Sequence, residues 1–411
     1  MMSHFQNENI ENNNAKKKLS PFQKLSSTQE ALKKDILEFC KAHQKDEHAI
    51  FVIEGDAGTG KSLVINSIFN DLQRMARSGQ DEDCFSGKEN YLIVNHPEMM
   101  KLYTNISEDF PYIRKKDFER PTTFINKMNK LEKRADVVLI DEAHLLLTRP
   151  DKYNRFNQNN HLEEIIKLAR IVILVFDEKQ VLKFKSYWNK DTLSEIINGF
   201  PVETFYLIDQ FRMHANADVL EWIKNFCLKK VTTFPKKQNF DFRCFDDAQE
   251  MYALIKQKNS QCGLSRIVAT YDYPYRLDGK EHFIDEGRFH LRWDLSKPDE
   301  KLPWAERPDT INEVGSVYTV QGFDLNYVGL ILGPSVTYDA QADCLRLDPT
   351  RYEDGAAFAG KDGLAQPEQV KEQIMLNAIN VLMTRAVKGL YLYAHDPALR
   401  KKLQQEQSLR S

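Results

Sequence analysis

Short apolar runs alternate with stretches of helical spacing along this chain. The first runs are Ala49–Ile53, Tyr91–Val94, Val137–Ile140 and Ile171–Phe176, with a fifth near Thr204–Ile208. They are rich in Val, Ile, Phe and Tyr and do not alternate with polar residues, which is how strands covered on both faces read. A second set follows at Ile267–Thr270, Val317–Thr319, Tyr327–Leu332 and Leu390–Ala394. Between them, Ile374, Leu376, Ile379 and Leu382 recur at helical spacing and predict a helix over Ile374–Arg385. Strands separated by helices predict an α/β protein with parallel sheets. Two sets predict two domains in tandem, with the boundary near residues 205–215. Two polar stretches interrupt the pattern. Arg77–Asn90 reads as a surface loop, and Asp343 to Glu368, rich in Asp, Gly, Ala and Pro, as a long mobile loop.

The length of 411 residues agrees with two domains, at roughly 100–200 residues each. Residues 1–20 are Asn-rich and polar and predict a disordered tail without the apolar core of a secretion signal. Residues 401–411 read as a C-terminal tail. No apolar run approaches the roughly 20 residues of a membrane span, so no membrane partner is expected. The six cysteines are scattered, with no CxxC pair to suggest a zinc or redox site, and point to reduced thiols and a cytoplasmic location. The formal net charge of −3 lacks the basic excess of many nucleic-acid binders, although a local basic groove is compatible with it.

Candidate chemistry begins at GDAGTGKS, Gly55 to Ser62, which follows the apolar run AIFVIE and leads into the amphipathic LVINSIFNDL. Strand, glycine-rich loop and helix are the context that a phosphate-binding loop requires. Gly55, Gly58 and Gly60 let backbone N–H groups curl round phosphate oxygens at a helix N-terminus. Lys61 is placed to reach the β- and γ-phosphates of ATP, and the Ser62 hydroxyl to ligate Mg²⁺. The bland alternative is a glycine-rich turn before a helix. Downstream, Val137–Ile140 ends in Asp141-Glu142-Ala143-His144. A carboxylate at the C-terminal end of a buried parallel strand lies where ligands bind in open α/β sheets. Asp141 is assigned to Mg²⁺ through a water and Glu142 to activating the attacking water. The alternative is an acidic helix cap. His144 either couples the site to the second domain or is a satisfied polar residue.

The order of motifs resembles superfamily 1 helicases, and more closely the bacterial Schlafen-group-3-like DNA/RNA helicase domain family, from about Leu25 to Ala394. The resemblance implies two tandem RecA-like P-loop NTPase domains over 21–205 and 206–400. It also implies that ATP is hydrolysed at their interface by a motor or translocase on single-stranded DNA or RNA. LSSTQ looks like the Q motif, implying that Gln29 reads adenine. Tyr91 to Lys101 and Arg120 to Phe124 resemble strand-contacting motifs, with plain loops as the equal reading. VILVFDEKQ resembles motif III and implies a γ-phosphate sensor at Gln180. LIDQFRMH resembles motif IV, with Phe211 on the adenine and Arg212 at the γ-phosphate. SVYTVQGFDLNYVGLIL resembles motif V, implying Gln321 and Gly322 between the domains and a ribose contact at Asp324. Tyr318 stands where the family commonly has His. NVLMTRAVKGLYLY resembles motif VI and implies that Arg385 is an arginine finger, against the alternative of a helix C-terminal cation.

Two aromatic stretches are read both ways. Lys183, Phe184, Lys185, Tyr187 and Trp188, and likewise Tyr271, Tyr273, Tyr275 and Arg276, suit either a nucleic-acid groove or core packing. Asn95 and Asp141 are only 46 positions apart, too close for the large insertion of strand-separating relatives. The resemblance therefore implies a near-minimal motor that need not unwind a duplex. A rival function is an ATP-dependent switch that controls a protein partner. A small-molecule kinase would need a substrate lid in place of the second domain.

Overall fold

The computed structural model describes residues 19–56, 58–79, 84–207, 213–236, 239–275, 280–294, 297, 300–360 and 366–410. Most of the stretch read as an N-terminal tail lies outside the described residues, as do Phe211, Arg212 and Arg276. The chain divides into two compact units, one over Ala15–Gln210 and one carrying Phe211–Ser411. Among the described residues no helix is long and apolar enough to cross a membrane.

The first unit holds a six-stranded sheet. Its strands are β1 (Ala49–Gly55), β2 (Asn90–Val94), β3 (Phe118–Glu119), β4 (Ala135–Asp141), β5 (Ala169–Phe176) and β6 (Val202–Leu207). The order is β3-β2-β4-β5-β1-β6, and every pairing is parallel. The central strands are apolar because both faces are covered: Ile50, Val52, Val138, Ile140, Val172 and Leu174 are all essentially inaccessible. Parallel pairing sends all C-terminal strand ends to one edge, so the residues following β1, β4 and β5 gather there.

After β4 the chain forms a loop that closes on the helix His161–Lys167. His161 N–H donates to Leu147 O at 2.9 Å, while His161 Nδ1 accepts from Leu147 N at 3.0 Å. With Nδ1 accepting, the neutral ring carries its proton on Nε2, which lies 3.0 Å from Thr122 Oγ1. Burial, helped by the charge of Arg120, pushes His161 down to about 3. The unfolded chain therefore takes up a proton near the ordinary value of about 6.5 that the folded chain refuses. This contribution is complete above that value and is lost as pH falls toward 3. Between about pH 7.5 and pH 5, the unfolding free energy of wild type should fall by about 2 kcal/mol relative to His161→Gln. Denaturant titrations at both pH values measure it; a difference that does not change with pH would contradict it.

The second unit is built on a seven-stranded sheet. It comprises β7 (Asp241–Cys244), β8 (Ser265–Ala269), β9 (Phe283–Glu286), β10 (Phe289–Trp293), β11 (Glu313–Gly315), β12 (Leu325–Leu332) and, after the short hairpin β13 (Val336–Asp339) and β14 (Cys344–Leu347), β15 (Ala386–Ala394). The order is β7-β15-β12-β8-β11-β10-β9, parallel except for the β9–β10 hairpin. Four expectations are corrected here. Val317–Thr319 is not a strand: Val317–Val320 is a short helix, with the strand just before it at β11. Ser316 caps this turn by accepting from Tyr318 N, and Thr319 Oγ1 accepts from Ser316 N, which overrides the β-branched composition. The predicted helix ends at Met383, and Arg385 lies beyond it. Residues 401–408 are no tail but part of the helix Pro397–Ser408, held by buried Leu399 and Leu403. The described part of the 343–368 stretch is ordered by β14, by buried Tyr352 and Ala357, and by Asp354, which accepts from the Tyr318 hydroxyl and from Ala357 N.

The aromatic stretches resolve toward packing. Phe184 and Trp188 are buried, and Trp188 Nε1 donates to Leu146 O at 2.8 Å. Tyr273 is buried and donates to Glu286 Oε1 at 2.7 Å. Tyr271 packs against Trp293, Tyr318 and Tyr352.

Candidate nucleotide site

The loop after β1 leads into the helix Lys61–Arg77, whose N-cap is Gly60. Gly60 has φ +80°, a region that costs a side chain strain and glycine little. It also brings no side chain to cap the helix, which leaves first-turn N–H groups as anion donors. A Cβ on Gly55 would sit 2.7 Å from Leu207 O, so β1 and β6 approach here as only glycine permits. The Lys61 ammonium donates to Gly55 O at 2.5 Å and Asp56 O at 2.8 Å, and stands 3.7 Å from Asp177 Oδ2. It braces the loop from within. Gln29 supports the loop from the other side: Nε2 donates to Thr59 O at 3.1 Å and Oε1 accepts from Ser26 N at 3.0 Å.

At the end of β4, Asp141 is fully buried and receives three donors. Ser62 Oγ lies 3.2 Å and Glu142 N 3.0 Å from Oδ1, and Tyr103 Oη lies 2.6 Å from Oδ2. Burial first, then the neighbouring Glu142 charge, raise the Asp141 carboxyl to about 6, against the pull of those donors. Burial and Asp141 together push the Tyr103 phenol well above its ordinary value, so it stays a donor. A buried carboxylate held beside a hydroxyl is a hard oxygen pair, and a divalent cation would relieve its charge. The residues thus fit Mg²⁺ completed by waters and phosphate oxygens. Glu142 follows in left-handed backbone, φ 52°, with its Oε2 3.2 Å from buried His144 Nε2. Such strain in a non-glycine residue is typical of functional positions.

At the end of β5, Asp177 joins the motif III stretch to the loop. Its Oδ2 accepts from Gln180 Nε2 at 2.7 Å while facing Lys61, and Lys179 Nζ reaches Asp56 Oδ1 at 2.6 Å. The structure therefore gathers Gln29, Gly55, Gly58, Gly60, Lys61, Ser62, Asp141, Glu142 and Gln180 at one sheet edge of the first unit. Tyr103 and Asp177 escaped the sequence reading. Asp177 satisfies the same strand-end rule that selected Asp141. Tyr103 carries no local signal, being an inward residue of the helix Pro97–Ile106.

In the second unit, Gln321 is buried and closes the short helix Val317–Val320, Gly322 takes φ +86°, and Asp324 is half-buried just before β12. Arg385 is 1% exposed, and its Nε donates to Val381 O at 3.1 Å, in the last turn of the helix Pro367–Met383.

A glycine-rich phosphate loop, a strand-end Asp-Glu pair and a parallel sheet define a P-loop NTPase. Residues 48–396 match the family described as Schlafen group 3, DNA/RNA helicase domain, and the chain belongs to that family. It is 46% identical over 409 residues to the uncharacterized protein YPL245W of Saccharomyces cerevisiae, covering 92% of this chain and 90% of that protein. Among solved structures, the Pif1 helicase from Candida albicans overlays with a TM-score of 0.35 at 10% identity, covering 92% of this chain and 96% of that one. The arterivirus nonstructural protein 10 helicase overlays with a TM-score of 0.31 at 12% identity, covering 90% and 65%. At such TM-scores neither overlay carries weight.

Proposed function

We propose that the chain is an ATP hydrolase of the superfamily 1 helicase type that couples turnover to movement along single-stranded DNA or RNA. Lys61 and the loop amides bind the phosphates, and Ser62 and Asp141 hold Mg²⁺, which neutralises phosphate charge when bound. Glu142 takes the proton of the attacking water. Gln180, linked to Lys61 through Asp177, responds to the γ-phosphate. Gln29 and Phe211 contact the adenine, and Asp324 the ribose. Gln321 and Gly322 belong to the second unit's contribution. Arg212 and Arg385 stabilise the transferring phosphoryl group from that unit, so hydrolysis takes place between the two. The observation that carries this reading is the meeting of Lys61, Ser62, Asp141 and Asp177 at one sheet edge.

The experiment separates binding from chemistry. Glu142→Gln keeps size and hydrogen-bonding capacity but loses the base. It should bind Mg·ATP with near wild-type affinity and lose turnover by about 10²-fold or more. Equilibrium binding of a fluorescent ATP analogue and phosphate release on one preparation measure both. Normal hydrolysis by this variant would show that another residue is the base.

A further inference from the structure

A stiff projection stands on the same sheet edge, and folding gives no reason for what it displays. Asp151 and Phe156 exchange backbone hydrogen bonds of 2.8 and 3.0 Å, closing a tight hairpin. Inside it, Asp151 Oδ1 accepts from Tyr153 N at 2.8 Å and Asn154 N at 3.2 Å, and Oδ2 accepts from Lys185 Nζ at 3.2 Å. Phe156 is fully buried, with its ring centroid 4.0 Å from that of His161. The reciprocal bonds of Leu147 and His161 tie the two ends of the segment together.

At the tip, Tyr153 is 90% exposed, the most exposed large hydrophobic side chain among the described residues. Exposed Lys152 and Arg155 flank it. An aromatic ring held in water by a rigid hairpin gains nothing from burial. A ring on a hairpin tip that also carries two exposed cations has the chemistry that takes a base on its face and phosphates at its sides, without regard to sequence.

We propose that Tyr153 is a base-stacking finger for single-stranded nucleic acid, with Lys152 and Arg155 contacting the adjoining phosphates. This rests on the proposed function and names the surface where the strand is held. The finger lies outside the nucleotide site, so basal hydrolysis does not depend on it.

The test measures binding of a labelled oligothymidylate and a labelled oligouridylate to the full chain by fluorescence anisotropy at several salt concentrations. Tyr153→Ala should weaken binding about 5- to 100-fold, and Tyr153→Trp should retain it. Replacing Lys152 and Arg155 together by Ala should reduce the salt slope by about 1–2. Basal ATP turnover should stay at the wild-type value in all three. If wild type binds a strand and Tyr153→Ala binds it equally, the finger is wrong and the proposed function stands. Equal losses in Tyr153→Ala and Tyr153→Trp would also overturn it, because stacking would not then be the cause. If wild type binds neither polymer, both readings fall, and the exposed ring would be left to a protein partner.

Discussion

Lys61→Ala is expected to reduce ATP turnover to background and to weaken Mg·ATP binding by at least tenfold. The lost contact is charge-assisted, a cation against the β- and γ-phosphates, which makes it one of the stronger hydrogen-bonded contacts a site can offer. The structure adds a second consequence. Lys61 is only 7% exposed, and its ammonium holds the carbonyls of Gly55 and Asp56 while facing Asp177, so its removal also loosens the loop from within. About 1–3 kcal/mol of stability should go with it, since buried acceptors are left without their donor. That is too little to unfold a domain of ordinary stability. Phosphate release, nucleotide affinity and urea unfolding on one preparation separate these effects. A variant with wild-type turnover would remove Lys61 from the site.

Arg385→Ala is expected to lower turnover by roughly 10³–10⁵-fold while leaving nucleotide affinity near wild type. The argument is electrostatic. An arginine in water adds little, but one brought against a γ-phosphate with water excluded stabilises charge that develops only in the transition state. Such a contact acts on rate and hardly on ground-state binding. The side chain also has a structural duty: its Nε donates to Val381 O at 3.1 Å. Some stability will be lost for that reason alone. Arg385→Lys distinguishes the two duties, because lysine keeps a helix C-terminal cation but not the planar fork. A finger predicts that the lysine variant regains stability and stays nearly inactive. A purely structural arginine predicts that turnover and stability recover together.

The central strands were readable because each is covered on both faces and so becomes an uninterrupted apolar run. β3, with two residues, and β11, with three, are too short to leave such a run, and β7, Asp-Phe-Arg-Cys, mixes charge with apolar residues. Val317–Thr319 misled because β-branched residues suit strands, while a reciprocal cap from Ser316 and Thr319 decided the backbone. The nucleotide loop was legible since its chemistry is local: glycines, a lysine and a hydroxyl fall within eight positions. Tyr103 was not, because its partner Asp141 is 38 positions away and only the fold joins them. Tyr318 was legible as a departure but not in role. Its hydroxyl meets Asp354, 36 positions on, in a stretch whose composition reads as loop. The aromatic runs at 183–188 and 271–275 could not be assigned from composition, since stacking on a base and packing in a core call for the same residues.

The central claim is that hydrolysis at Lys61, Ser62, Asp141 and Glu142 is coupled to a single strand. It is tested most directly by the steady-state ATP turnover of the full chain with Mg²⁺, alone and with saturating single-stranded DNA or RNA. The account predicts magnesium-dependent turnover that at least one polymer raises about tenfold or more, with the rise absent from Arg385→Ala. Magnesium-dependent turnover that neither polymer changes would contradict it.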